Sequence, residues 1–412
     1  MATVRPFKCV RPNEKVADRV AALPYDVYNR KEAKEEVKKE PLSFLKIDRA
    51  ETQFDDDVDT YDPRVYAKAK EIFEFEVEKG LYEEIDEAYY YIYELTMDGR
   101  KQTGIVATAS IDDYLNNKIK KHENTRADKE IDRINHVDVM SAQTGPIFLA
   151  YRENTTINEE INKTKEKAPL YDFTSHDGIR HTVWVIDDKD SIKTIKDEFD
   201  KINEIYIADG HHRCASAVKV GLKRREAHPN YTGSEEFNYF LSVLFQDNQL
   251  MIMDYNRVVK DLNGLTSEEF INKLSTMFDI EEEKGEFKPK RKATFGMYLD
   301  KKWYKLTAKL DIVSDHPVDG LDVSVLQNNV LGPILGIQDP KTDKRIDFVG
   351  GIRGLKELER RCHNDMKVAF AMFPTSIDEL FRVADAKLLM PPKSTWFEPK
   401  LRSGLFIHRI EK

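Results

Sequence analysis

Cysteine is scarce: three in 412 residues, at positions 9, 214 and 362. Odd in number and far apart, they make neither a disulfide framework nor a zinc-binding spacing, and they point to a reducing cytoplasm. No apolar run approaches the ~20 residues that a membrane span needs. The opening residues, Met1 to Pro6, contain no signal-peptide apolar core. Positive charge is not in excess either. The net charge is −9, which argues against nucleic acid as a partner. Gly-x-Ser-x-Gly, the Walker P-loop and the protein-kinase signature set are all missing, so a serine hydrolase of that type and the two commonest phosphate-loop classes lose support. What remains is a globular composition, 40% hydrophobic, 34% charged and 10% aromatic, in a chain long enough for two or three domains.

The hydropathy pattern mixes both periods. Asn29 and Glu32 stand at capping-box spacing before a charged helix that Pro41 stops. Asp62-Pro63 opens a longer helix to Gly80, with Val65, Ala69, Ile72, Phe73 and Val77 on one side. Residues 44–47 read as a strand. Residues 89–96 and 104–110 read as strands around an Asp98-Gly99 turn. Residues 239–245 and 250–253 read as a hairpin turning at Asp247-Asn248. A helix over about 128–143 precedes a buried strand at 147–150. Ala21 to Val27 is apolar and then stops at Pro24-Tyr25-Asp26, either as a turn between strands or as a segment tucked beside a site. The expected fold class is α+β, or mixed α/β. A boundary near 260 would separate a catalytic region, 1–260, from an α+β region, 261–412, that closes the site.

Two stretches stand out. In 204–221, Tyr206 to Ala208 ends a buried strand, Asp209-Gly210 turns the chain, and His211 begins an Ala-rich helix closed by Gly221. Basic residues in a first helical turn oppose the helix macrodipole. An anion at the same place, most simply a phosphate, removes that conflict. The Gly210 N–H, His211, His212 and Arg213 are suitable phosphate donors, Arg213 through a bidentate fork. In 119–125, His122, Glu123, Asn124 and Thr125 crowd a short segment between a strand and a helix, more polar groups than a helix cap requires.

Two carboxylates complete the set. Asp209 either holds Mg²⁺ on the phosphate or takes a proton from an attacking hydroxyl, and Glu123 does the other of these jobs. This combination suits a kinase or a phosphohydrolase. A third polar group, Lys393-Ser394-Thr395, follows two prolines. It reads either as a closing loop or as a fixed donor set facing an anion.

The box Ala208-Asp209-Gly210-His211-His212-Arg213 resembles the phosphate box of the ParB/sulfiredoxin-like superfamily, Gly-x-x-Arg on a strand-turn-helix. The place of the sulfiredoxin cysteine is taken here by His211. Asp-Gly-His-His-Arg looks most like the free L-serine kinases of that superfamily. The whole chain, including residues 121–125 and 390–395, also resembles a widespread bacterial family of unknown function. The resemblance implies a ParB/sulfiredoxin-like nucleotide-binding core with additional α+β elements, a nucleotide (ATP or ADP) and Mg²⁺ as cofactors, and a small hydroxy amino acid as acceptor. It implies Glu123 as catalytic base and Asp209 as the essential aspartate and metal ligand. Gly210, His211, His212 and Arg213 would hold the donor phosphates. His122, Asn124 and Thr125 would line the nucleotide, and Lys393, Ser394 and Thr395 the acceptor carboxylate. The alternative is a ParB-like nucleotide hydrolase or nucleotide-gated binding protein without an amino-acid acceptor. Oligomeric state is left open.

Overall fold

The aromatic run around Tyr90 forms part of a long β-hairpin. In the computed structural model, which describes residues 1–125 and 127–411, Tyr90–Met97 pairs antiparallel with Arg100–Ser110. Asp98 and Gly99 turn between them at φ 49° and 79°, as a tight hairpin requires. This hairpin sits inside a nine-stranded sheet. From one edge the order is Ile119–Lys120, Ile205–Asp209, Ile147–Tyr151, Tyr239–Gln246, Arg100–Ser110, Tyr90–Met97, Arg180–Ile186 and Tyr171–Thr174, with Val4–Arg5 added on Arg100–Ser110. The pairing is antiparallel except at two places. Ile119–Lys120 runs parallel to Ile205–Asp209, and Ile147–Tyr151 parallel to Tyr239–Gln246. The fold is mixed α+β.

The sheet's apolar face buries Ile92, Ile105, Leu149, Ile207 and Leu244 together with Ile195 and Phe199 of the Lys189–Phe199 helix. A second cluster lies under helices Arg30–Lys39 and Pro63–Glu78, and includes Ala33, Val65, Ala69 and Phe73. Arg30–Lys39 carries the Asn29–Glu32 capping box. A small sheet completes this layer, in the order Tyr82–Glu84, Cys9–Pro12, Ile407–Arg409, Ala142–Gln143.

Residues 44–47 do not form a strand. They enter a short helix, Leu45–Asp48, in which Phe44, Leu45 and Ile47 are fully buried. Lys46 reaches the Pro41 carbonyl at 2.6 Å and the buried Glu76 carboxylate at 2.5 Å. A four-residue run with three apolar residues fits either period, and packing against the helical layer decides between them.

Two compact units emerge: Met1–Leu250 with the segment starting at Pro399, and Met251–Glu398. The hairpin expected over 239–253 is absent. A 3₁₀ turn at Asp247–Gln249 redirects the chain, and Ile252–Met253 pairs instead with Trp396–Phe397 inside the second unit. That unit is built on a six-stranded antiparallel sheet ordered Phe278–Glu283, Lys302–Ala308, Thr294–Leu299, Val368–Ala371, Tyr255–Val259, Ile346–Gly350. Its Ile377–Asp385 helix opens with the Ser376–Glu379 capping box. Among the described residues no helix is long and apolar enough to cross a membrane.

Candidate functional site

Ile205 to Ala208 are buried, and the strand ends at half-buried Asp209. Gly210 then takes φ 90° and ψ 32°, a left-handed conformation in which glycine has no steric cost. A Cβ there would stand 3.1 to 3.3 Å from the Arg213 guanidinium, so the fork lies flat against the turn. The helix His211–Ala227 begins immediately. No side chain caps it and its first turn contains no acid. The positive end of its macrodipole thus meets no acidic residue within its own first turn.

Asp209 is held from two directions. Its Oδ1 accepts the Gly210 N–H at 2.8 Å, and its Oδ2 accepts Lys400 Nζ at 3.0 Å. Burial opposes its charge, but Lys400, Arg213 and these hydrogen bonds outweigh that and hold the carboxyl well below the usual range. The side chain keeps 37% of its surface open. Arg213 Nη1 donates to the Pro146 carbonyl at 2.6 Å, and its guanidinium also abuts Gly145.

The two unusual stretches meet. His122 and His211 are 1% and 6% exposed, and their rings pack edge to face with centroids 4.5 Å apart. Neither His122 nitrogen, nor Nε2 of His211, has a hydrogen-bond partner among the described residues. Burial lowers the His122 pKa to about 4, against an opposing pull from Asp209. Burial and the neighbouring His122 push His211 well below its ordinary value. Burial favours the neutral form of both imidazoles.

The parallel pairing explains the meeting. Ile119 lies opposite Ile205 and Lys120 opposite Tyr206. The paired segment ends at Lys120, two residues before His122. Glu123 is half-buried and Asn124 exposed. Thr125 donates its hydroxyl to the Glu130 carboxylate, which also binds Lys219. His212 is half-buried, and its carbonyl accepts the Ser216 hydroxyl at 2.7 Å.

Lys393, Ser394 and Thr395 belong to the 251–398 unit. Lys393 sits at φ 58°, its carbonyl accepts Arg257 Nη2 at 3.0 Å, and its ammonium lies 5.7 Å from the centre of the Tyr255 ring. The Ser394 hydroxyl donates to the Pro391 carbonyl at 2.6 Å, and the Ser394 carbonyl accepts from Thr375. Thr395 is half-buried.

The structure thus brings together His122, Asp209, Gly210, His211 and Arg213, with Glu123 next in the chain. It adds Lys400, which sequence reasoning passed over. The only sequence cue was its place directly after Pro399 in a Pro-rich tail. Among the described residues no group of three or more His, Cys, Asp or Glu is placed to hold a metal. Mg²⁺ commonly takes one or two carboxylates and draws its other ligands from water and substrate phosphates. Asp209 fits that pattern as a single hard, partly open oxygen ligand.

The profile of a family described as "Protein of unknown function (DUF1015)" matches residues 4–324. The chain belongs to the DUF1015 family. No curated protein matches it. Among solved structures, this DUF1015 chain is similar to SbnI with a C-terminal truncation from Staphylococcus aureus, at 12% identity and a TM-score of 0.40, over 73% of this chain and 87% of that one. It is also similar to a free serine kinase in complex with AMP, at 14% identity and a TM-score of 0.34, over 73% and 91%. A third is a conserved hypothetical protein from Pyrococcus furiosus, at 16% identity and a TM-score of 0.35, over 74% and 94%. At such scores these likenesses fix no residue role.

Proposed function

We propose that this chain transfers a phosphoryl group from a nucleotide, ATP or ADP, to the hydroxyl of free L-serine or a comparably small hydroxy amino acid. The observation that carries the reading is the uncapped helix at Gly210, with Arg213 against its turn and Asp209 at its edge. The N–H groups of this turn, with His211, His212 and Arg213, bind the donor phosphates. Glu123 accepts the acceptor hydroxyl proton as the oxygen bonds to phosphorus and the bond to the leaving nucleotide breaks. His122, Asn124 and Thr125 border the nucleotide. Lys400 and Arg213 offset charge beside Asp209. Mg²⁺, when bound with the nucleotide, supplies further neutralisation of phosphate charge, and Asp209 is the residue that would hold it.

The test is a grid of nucleotides against amino acids, read by phosphoamino-acid formation. Product should appear with a hydroxy amino acid and be lost in Glu123→Ala and Asp209→Ala. Wild-type rates in both variants would sink the assignment. Nucleotide turnover with no acceptor would favour the nucleotide hydrolase instead.

A further inference from the structure

A partly exposed lysine–carboxylate pair gives up rotamer freedom to keep one geometry and gains little stability from it. Lys400 therefore needs its backbone ordered by the residues beside it, and these are firmly placed within the first unit. Leu401 to His408 are all buried. The Ser403 N–H donates to the Ala22 carbonyl at 2.8 Å, and the Ser403 carbonyl accepts the Ala22 N–H at 3.1 Å. Gly404 stands at φ 85°, and a Cβ there would meet the Phe44 side chain at 2.6 Å. A Cβ on Gly145 would stand 3.1 Å from Ser403 Oγ and 3.4 Å from Arg213 Nη1. The strap 399–404 thus runs beside both charged members of the phosphate turn, Asp209 through Lys400 and Arg213 through Ser403.

Arg402, in the middle of the strap, is 2% exposed. Its Nη2 donates to Asp177 Oδ2 at 2.5 Å and to Ser175 Oγ at 3.1 Å, and its Nε donates to His181 Nε2 at 3.3 Å. The His181 ring is itself fixed. Its Nδ1 lies 2.8 Å from the Tyr93 hydroxyl, and it stacks on Phe173 with centroids 5.1 Å apart. Burial and the Arg402 charge favour the neutral ring, whose Nε2 can accept. Ser175 and Asp177 lie in the turn between Tyr171–Thr174 and Arg180–Ile186. Four strands separate Arg180–Ile186 from Ile205–Asp209 in the sheet. Residues 400–402 bridge them, Lys400 to the end of one and Arg402 to the hairpin turn of the other.

We infer that Arg402 is a positioning residue for the phosphate turn, pinning the strap so that the Lys400 ammonium stays on Asp209. Pro399, with its fixed φ, restrains the other side of Lys400. The bearing of this pin on catalysis rests on the phosphotransfer reading above; the pinning of Lys400 does not. A residue that only braced the fold would act on the whole unit, whereas a pin acts on Lys400 selectively.

Lysine footprinting of the full chain with limiting acetic anhydride, read by mass spectrometry, tests this. Lys165, which pairs with the buried Glu94 in the same unit, is the internal control. In Arg402→Gln the acetylation rate of Lys400 should rise at least fivefold over wild type, while that of Lys165 changes less than twofold. Equal rises at both lysines, or an unchanged rate at Lys400, overturn the proposal. If Arg402→Gln does not fold, Asp177→Asn at the exposed turn decides by the same comparison, with at least a twofold rise expected. The kcat/KM for phosphoserine formation should fall as far in Arg402→Gln as in Lys400→Met, and the double variant should lose no more than twofold beyond either. Losses that multiply would show that the two residues act independently and overturn the pin. The two readings fail separately. If the wild type forms no phosphoserine, the kinase falls and the footprint still decides the pin. Phosphoserine formed by the wild type, with an unchanged Lys400 footprint in Arg402→Gln, removes the pin and keeps the kinase.

Discussion

Lys400 places its ammonium 3.0 Å from Asp209 Oδ2, although 191 residues separate them in sequence. A partly exposed pair of this kind contributes only about 0–1 kcal/mol to stability. Its value lies in the charge it puts beside the turn. Lys400→Met should therefore lower Tm by no more than a few degrees while cutting kcat/KM for phosphotransfer at least tenfold. Parallel melting and steady-state assays check this, and a large Tm loss with unchanged kinetics would make Lys400 structural.

Gly210→Ala tests the turn. A side chain at φ 90° meets left-handed strain of about 1–2 kcal/mol, and its Cβ presses on the Arg213 fork. We expect a lower urea midpoint and nucleotide affinity reduced at least tenfold, measured by fluorescent-nucleotide titration.

Glu123→Gln separates chemistry from binding. Removal of a general base typically costs 10²–10⁴-fold in rate. The kcat for phosphoamino-acid formation should fall in about that range while nucleotide affinity changes less than threefold. An equal fall in affinity would place Glu123 in nucleotide binding instead.

The pH dependence follows from His122. Burial brings its pKa down to about 4 in the folded chain, against ~6.5 when unfolded. Its neutral form therefore contributes stability that is complete above about pH 6.5 and lost as the pH falls toward 4. At pH 5 this one group should have cost roughly 1–2 kcal/mol relative to pH 7.5. Urea titrations at the two values should show the loss, and His122→Asn should reduce it.

The turn at 209–213 is legible in the sequence because its determinants are local: an apolar run, a glycine, then an Ala-rich helix. The meeting of His122 with His211 is less so. It depends on a two-residue parallel pairing, Ile119–Lys120 on Ile205–Tyr206, which no hydropathy pattern encodes. Lys400 is illegible for the same reason, since nothing near it in sequence names its partner. Tyr25 shows that a Pro-Tyr-Asp turn can also be a cavity wall.

The Ile407–Arg409 strand lies between Cys9–Pro12 and Ala142–Gln143, and Lys400 comes just before it. Both are synthesised only after the ribosome has made the whole 251–398 unit. A nascent chain halted anywhere inside that unit carries Asp209 and Arg213 but no Lys400, and its small sheet has a gap where a strand belongs. Chain order thus makes synthesis through residues 400–409 a condition both for the Lys400–Asp209 pair and for the filled small sheet.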